Sequence, residues 1–283
     1  MKDPVSYFAK RYIAGEIRED AVRVAGELNE KGIVATIDNL GENVRDTIEA
    51  MNGLDEYMAL LREINDACVD STISLKLTHL GLDQSQPLVI KNVSALLKKV
   101  EKYKSFIRID MESSAYTEAT IESVIEIHKD HPDIGVAIQS YLLRSAADIE
   151  RLIKEGVSVR LVKGAYKEPP DLAFADKAKV DESYSTLMKE LLMRGNNPAF
   201  ATHDETLIAE AKAFAKDNNI PKEAFEFQML LGVRRKAQLQ LAKEGYRIRV
   251  YVPYGKEWMA YIMRRFKERK ENVWFFIKNI FDR

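Results

Sequence analysis

Arg249-Val-Tyr-Val-Pro-Tyr-Gly255, followed directly by Lys256-Glu-Trp-Met-Ala-Tyr-Ile-Met-Arg-Arg-Phe-Lys-Glu-Arg269, is the stretch whose reading decides the fold. Ile248 to Val252 is a short β-branched and aromatic strand, stopped by Pro253 and Gly255, and a helix starts near Glu257. At about 100° per residue, Trp258, Met259, Ile262, Met263 and Phe266 fill one apolar arc. Tyr261, Arg264 and Arg265 lie along its margin, with Glu268 beyond. Two guanidinium groups thus sit where a helix meets the core and could grip a carboxylate or phosphate through forked hydrogen bonds. A solvated basic turn with a surface Glu/Arg pair is the plainer reading of the same residues.

Outward from that stretch the same strand-then-helix unit recurs. Ile33 to Asp38, Thr72 to Leu77, Phe106 to Asp110, Ile134 to Ile138, Val157 to Val162, Ala199 to Thr202 and Ala224 to Gln228 are short, largely apolar runs of strand type. Helical patterns follow them, ending near Asp66, Lys102, Lys129, Glu155, Arg194, Asn218 and Glu244. About eight such units with no hairpin signal between strands predict an α/β chain of the (β/α)8 TIM-barrel type, for which about 250 residues is usual. Extra helices precede the barrel between Val5 and Lys31, with Tyr7, Phe8, Tyr12, Ile13 and Ile17 as one apolar stripe. An open doubly wound sheet is the rival, but it would carry a glycine-rich phosphate turn, and neither common form of that motif is present. No Pro-, Gly- or Ser-rich linker divides the chain. The expectation is one barrel domain over residues 1–283, with 1–31 a helical segment packed on it.

The 283 residues carry 43 Lys and Arg against 44 Asp and Glu, a formal charge of -1, and are 46% hydrophobic, which suits a globular chain with a substantial core and no basic face for nucleic acid. The one cysteine, Cys68, excludes an intramolecular disulfide and suits a reducing compartment; it reads as packed in a helix. No run reaches the roughly 18 apolar residues of a membrane span, and Met1-Lys-Asp-Pro4 lacks the apolar segment of a signal peptide. Peripheral membrane contact stays open.

In a (β/α)8 barrel chemistry sits at the C-terminal ends of the strands. Those ends carry Asp38, Lys76, Asp110-Met-Glu112, Gln139-Ser-Tyr141, Arg160, Lys163-Gly-Ala-Tyr166, Thr202-His-Asp204, Gln228 and Tyr251. One charge after a strand is often only a helix cap; the set predicts a common mouth. Lys76 interrupts an apolar strand and needs an anionic partner, for which Asp110 on the next strand is the candidate; a structural ion pair is the plain reading. Gly164 would let a ring or phosphate approach the backbone closely. No metal site is expected: His128 and His131 straddle a helix end, and His79 and His203 have no second ligand at a usual spacing. No nucleophile motif is present. On the residues alone, a redox enzyme, a barrel that merely binds a small anion, and an aldolase with Lys76 as Schiff base all stay open.

Several of these segments match one family. The C-terminal string, Ser74-Leu-Lys-Leu-Thr78, Ile107-Arg-Ile-Asp-Met-Glu112, Ala137-Ile-Gln-Ser-Tyr141, Val159-Arg-Leu-Val-Lys-Gly-Ala-Tyr166, Ala201-Thr-His-Asp204 and Glu226-Phe-Gln-Met-Leu230 with Gly232 stand in the order found in the proline dehydrogenases. The likeness runs from about Ala35 onward. It implies a distorted barrel that binds FAD non-covalently, oxidises L-proline to 1-pyrroline-5-carboxylate by hydride transfer to flavin N5 and passes the electrons to a quinone, as the first step of proline catabolism. By length the chain resembles the single-function bacterial enzymes. The resemblance also implies a pyrroline-5-carboxylate dehydrogenase as the next enzyme and a cytoplasmic location with peripheral contact on the inner face of the membrane.

Carried over by position, Arg264, Arg265 and Lys76 resemble the cations on the proline carboxylate, with Tyr261 and Leu230 lining the same pocket. Asp110, Arg160 and Tyr251 resemble the catalytic acid, the arginine beside the flavin and the aromatic residue shaping the proline pocket. Met111, Gln139, Arg160, Lys163, Gly164, Ala165, Thr202, His203 and Gln228 resemble FAD-binding positions. The size of Tyr251 favours proline over hydroxyproline. Asn39, Leu231 and Met259 depart from the family pattern, which has histidine at the first and tyrosine at the other two.

Overall fold

The computed structural model describes residues 11–259 and 261. Val5, where the N-terminal helices were expected to begin, and Tyr7 and Phe8 of the apolar stripe lie outside the described residues, as do Ile262, Met263, Arg264, Arg265, Phe266 and Glu268.

The chain alternates as its hydrophobic pattern predicts. Helix α1 (Arg18–Asn29) leads to β1 (Val34–Asn39), α2 (Thr47–Asp66), β2 (Ser71–Leu75), a 3-10 turn over Leu77–Leu80, and α3 (Gln86–Tyr103). Then come β3 (Ile107–Ile109), α4 (Ser114–His128), β4 (Ile134–Gln139), α5 (Ser145–Lys154), β5 (Ser158–Val162) and α6 (Lys177–Arg194). The remainder is β6 (Ala199–Ala201), α7 (Glu205–Asp217), β7 (Glu226–Leu230), α8 (Arg235–Lys243) and β8 (Arg247–Tyr254). The strands form one closed barrel in sequence order, and β1 pairs in parallel with β8. This is the (β/α)8 architecture expected.

Successive strand residues point to opposite faces, and here each face has its own chemistry. Ile37, Ile73, Leu75, Ile109, Val136, Leu161, Phe227 and Val250 are buried in one continuous core with the inner stripes of the helices. The alternate residues point into the barrel and bond to one another across it: Thr36 to Ser74, Arg160 to Ser74, and Arg249 to the Ala35 carbonyl and to Glu226. Barrel interiors are more often filled by branched apolar side chains. This one is filled by a polar network, which leaves charged groups at both ends.

Loop side chains set the helix starts. Asp46, Ser85, Asp176 and Asp204 each accept from backbone N–H groups in the first turn of the following helix, leaving fewer first-turn donors without partners. The Ser85 cap sets the start of α3 at Gln86.

Four local expectations are corrected. Residues 11–17 are not helical; Ala14 N–H donates to Pro253 O and Gly255 N–H to Gly15 O, strapping this segment along the end of β8. Pro253 does not stop β8, because only its carbonyl is required there, as the acceptor for Ala14. Cys68 is exposed, beyond the end of α2 and at φ 52°, not packed within a helix. At the start of the C-terminal helix Met259 points outward at 57% exposure while Tyr261 is buried, the reverse of the predicted arc, because Tyr12, Ile13, Leu40 and Val233 cluster over Tyr261.

Candidate active site

The C-terminal ends of the first three strands and of β5 and β8 bring five of the flagged residues together. Asp38 is the last residue but one of β1, and its register with Ser74 puts Lys76, two residues on, beside it at 3.6 Å. Ser74 is in turn in register with Arg108, so Asp110 lies on the other side of Lys76. Asp110, however, is taken by Arg160, whose Nη2 donates to Oδ1 from β5, two strands away. The carboxyl nearest Lys76 is therefore that of Asp38, and the expected Lys76–Asp110 pairing is corrected to Asp110–Arg160. Tyr251 completes the group: its phenolic oxygen is 2.7 Å from Asp38 Oδ2 and 2.7 Å from Asp110 Oδ2.

Electrostatics separates these groups. Burial and the Asp110 charge push Asp38 above the ordinary carboxylate range, against the opposing pull of Lys76. Burial would also raise Asp110, but Arg160 and Lys76 hold it below its ordinary value. Burial lowers Lys76, yet the Asp38 and Asp110 carboxylates outweigh it and hold the ammonium above the ordinary lysine value. Lys76 is therefore a charged group and a poor amine nucleophile, which counts against a Schiff-base role.

A cavity of about 680 Å³ opens from this group toward β4–β7. Its walls include Met111, Gln139, Arg160, Lys163, Gly164, Ala165, Thr202, His203 and Gln228, together with Asp110, Leu230 and Tyr251. Most of these side chains are already oriented. Gln139 donates to Glu112 O and accepts from Ala165 N–H, and His203 Nε2 accepts from the Leu230 N–H. Lys163 bridges Asp181 and Asp204 at 2.5 and 2.9 Å. Gly164 has φ 133°, and a Cβ there would lie 2.5 Å from the Tyr141 ring, so this ring occupies the space beside it. Arg160 Nη1 reaches Ser74 and Gln228, whereas its buried Nε has no hydrogen-bond partner among the described residues.

Leu230, Tyr251 and Trp258 pack against the cluster that holds Tyr261, so the expected pocket residues meet at one rim of the mouth. Of the positions that depart from the family pattern, Asn39 ends β1 and Leu231 N–H donates to Tyr251 O, while Met259 faces out. Sequence placed Asp38 at the mouth without assigning it a role, and did not single out Tyr57. Tyr57 sits in the α2 stripe and its phenol reaches Asp38 Oδ1 at 3.3 Å, which helical periodicity does not reveal.

A second cavity, about 790 Å³, lies at the opposite end and is lined by Arg108, Ser158, Glu226 and Arg249 among others. Arg249 is bound to Glu226, and Arg108 donates to the carbonyl and hydroxyl of Ser158. It is the larger of the two, but it lies at the N-terminal ends of the strands, where barrel enzymes carry no chemistry.

A closed (β/α)8 barrel with a cavity and a cluster of buried titratable groups at its C-terminal mouth is the architecture of a barrel enzyme. The family model for proline dehydrogenase matches residues 21–278, and the chain belongs to that family. It is 42% identical to proline dehydrogenase 1 of Bacillus subtilis (strain 168), over 96% of this chain and 90% of that one. It is 38% identical to the proline dehydrogenase of Deinococcus radiodurans, over 96% of this chain and 89% of the relative. Among solved structures it resembles proline utilization A (PutA) from Bdellovibrio bacteriovorus inactivated by N-propargylglycine, with a TM-score of 0.87 and 28% identity over 94% of this chain and 33% of the other. The chain is thus an enzyme of proline catabolism that oxidises proline.

Proposed function

We propose that the enzyme binds FAD non-covalently along the 680 Å³ cavity and oxidises L-proline to 1-pyrroline-5-carboxylate by hydride transfer to flavin N5, the electrons passing on to a quinone. One observation carries this reading: every residue that the sequence resemblance assigns to the cofactor lines that single cavity, which ends at Asp110, Leu230 and Tyr251. The donor set suits the cofactor. Arg160 brings a buried, oriented cation whose Nε lacks a partner among the described residues, and Gln139, Thr202 and His203 add polar edges. When bound, the flavin supplies the two-electron acceptor.

The chain's own residues then bind and orient. Lys76, held charged, is suited to the proline carboxylate, and Arg264 and Arg265 are assigned to the same carboxylate, though they lie outside the described residues. Leu230, Tyr251 and Tyr261 enclose the ring, which fixes the carbon next to nitrogen for transfer. Asp110 holds Arg160 in place, and the arginine favours added negative charge in the cavity.

The experiment is direct. Purified protein carries a flavin absorption band that L-proline bleaches without oxygen and a soluble quinone restores; a colourless protein, or one unaffected by proline, would end the reading. No helix among the described residues is long and apolar enough to cross a membrane. The family resemblance supports peripheral contact at the inner membrane face and hand-over of product to a pyrroline-5-carboxylate dehydrogenase. Sedimentation with lipid vesicles and a coupled two-enzyme assay test these two points.

A further inference from the structure

Tyr251 stands between two carboxylates, and its protons can be counted. The phenolic oxygen lies 2.7 Å from Asp38 and 2.7 Å from Asp110, yet a phenol has one hydrogen and can donate to only one of them. A second contact of that length between a phenol lone pair and an ionised carboxylate would be repulsive, so another proton lies on the line. Asp110 is the poorer host, because Arg160 is paired with its other oxygen. Asp38 is the better one. It is fully buried, and its cation, Lys76, stays 3.6 Å away, outside hydrogen-bond reach.

We propose that Asp38 is a positioning residue that works in its protonated form: its Oδ2 hydroxyl donates to Tyr251, and Tyr251 donates to Asp110. The chain has one direction, which fixes the phenol at the edge of the substrate pocket. It also removes one of the two negative charges beside Lys76, leaving Asp110 to keep the ammonium charged and an incoming carboxylate to take the place of the charge removed. The groups facing Asp38 are Lys76 after β2, Asp110 after β3, Tyr251 and Tyr254 on β8, and Tyr57 on α2. When alkali removes the Asp38 proton, a second anion stands beside Lys76 and the phenol loses its donor. Proline binding then weakens as pH rises.

The inference rests on the proposed placement of proline at this mouth only for its kinetic readout. In the holoenzyme, Asp38→Ala raises the proline KM at neutral pH by about tenfold, the size expected for one lost buried hydrogen bond. Asp38→Asn, neutral at every pH and able to donate to the phenol, recovers most of that loss and flattens the alkaline rise in KM. Independently of substrate, in a Glu112→Gln background, which removes the other buried carboxyl that keeps its proton near neutral pH, the infrared spectrum contains a protonated-carboxyl C=O stretch that Asp38→Asn removes. If the Asp38 variants fail to fold, the same band is followed in Asp110→Asn on that background, where it persists. An Asp38→Asn enzyme as impaired as Asp38→Ala, or a Glu112→Gln spectrum without the band, overturns the proposal. So does loss of the band in Asp110→Asn. A protein that failed the flavin test would still show the band, so the two failures are distinct.

Discussion

Arg108 occupies the space in which a side chain at Gly135 would stand. A Cβ built on residue 135 lies 2.4 Å from Arg108 Nη1 and 2.5 Å from the Ser158 carbonyl oxygen, the acceptor of that guanidinium. β3 and β4 are in register at this pair, so the missing side chain on one strand admits the long one on the next. Gly135→Ala has to displace either a buried cation from its acceptor or a strand backbone. The expected outcome is a loss of about 3 kcal/mol of stability, read by denaturant unfolding, with the enzyme's mouth untouched.

At the same end of the barrel Arg249 and Glu226 form a two-pronged pair, with contacts of 2.8 and 3.1 Å. Both are buried, so the pair's net worth is small while the cost of removing one partner is large. Arg249→Met leaves the Glu226 carboxylate stranded and is expected to cost about 3–5 kcal/mol. Arg249→Met combined with Glu226→Leu should recover most of that loss. Unfolding of the three proteins at one pH checks both statements, and a double variant as weak as the single one would refute the pairing argument.

The proposed grip on the proline carboxylate makes a sharper demand on residues outside the described part of the chain. A lysine in place of arginine keeps the charge but loses the planar fork. Arg264→Lys and Arg265→Lys are each expected to raise the proline KM by about tenfold or more while flavin content stays that of the wild type. Flavin absorbance and steady-state kinetics on the same preparations decide it. An unchanged KM removes these arginines from the substrate site.

Which parts of this site were legible in the sequence follows from how the barrel is built. Outward-facing strand residues must be apolar, so Asp38, Lys76, Asp110 and Arg160 showed as interruptions or ends of apolar runs. Their pairing did not show. It depends on strand register, which sets Lys76 beside Asp38, and on reach across the barrel, which lets Arg160 take Asp110 from a strand not adjacent to β3. Tyr57 was hidden because a phenol in a helical stripe has the same period whether or not its hydroxyl meets a carboxylate. The N-terminal segment was misread as helix because Tyr12 and Ile13 are apolar for another reason: they cover Tyr261 at the mouth.

The site also carries two buried groups whose titrations oppose each other. Burial is the largest influence on both. It pushes Glu112 up to about 7, against the hydrogen bonds from Thr78, and pulls His79 down to about 4, with Lys76 adding to the effect. Between the unfolded carboxyl value, about 4.5, and 7, folded Glu112 keeps a proton that the unfolded chain has lost, so its contribution to stability falls as pH rises. Folded His79 stays neutral from 6.5 down to about 4 while the unfolded imidazole takes up a proton, so its contribution rises with pH over nearly the same window. In the wild type the two slopes largely cancel. Glu112→Gln removes one of them, and the stability of the variant relative to wild type should climb by about 3 kcal/mol between pH 4.5 and 7, at about 1.4 kcal/mol per pH unit. Denaturant unfolding of both proteins across that range measures the difference directly, and a difference that does not change with pH would mean that Glu112 titrates in the folded enzyme as it does in the unfolded chain.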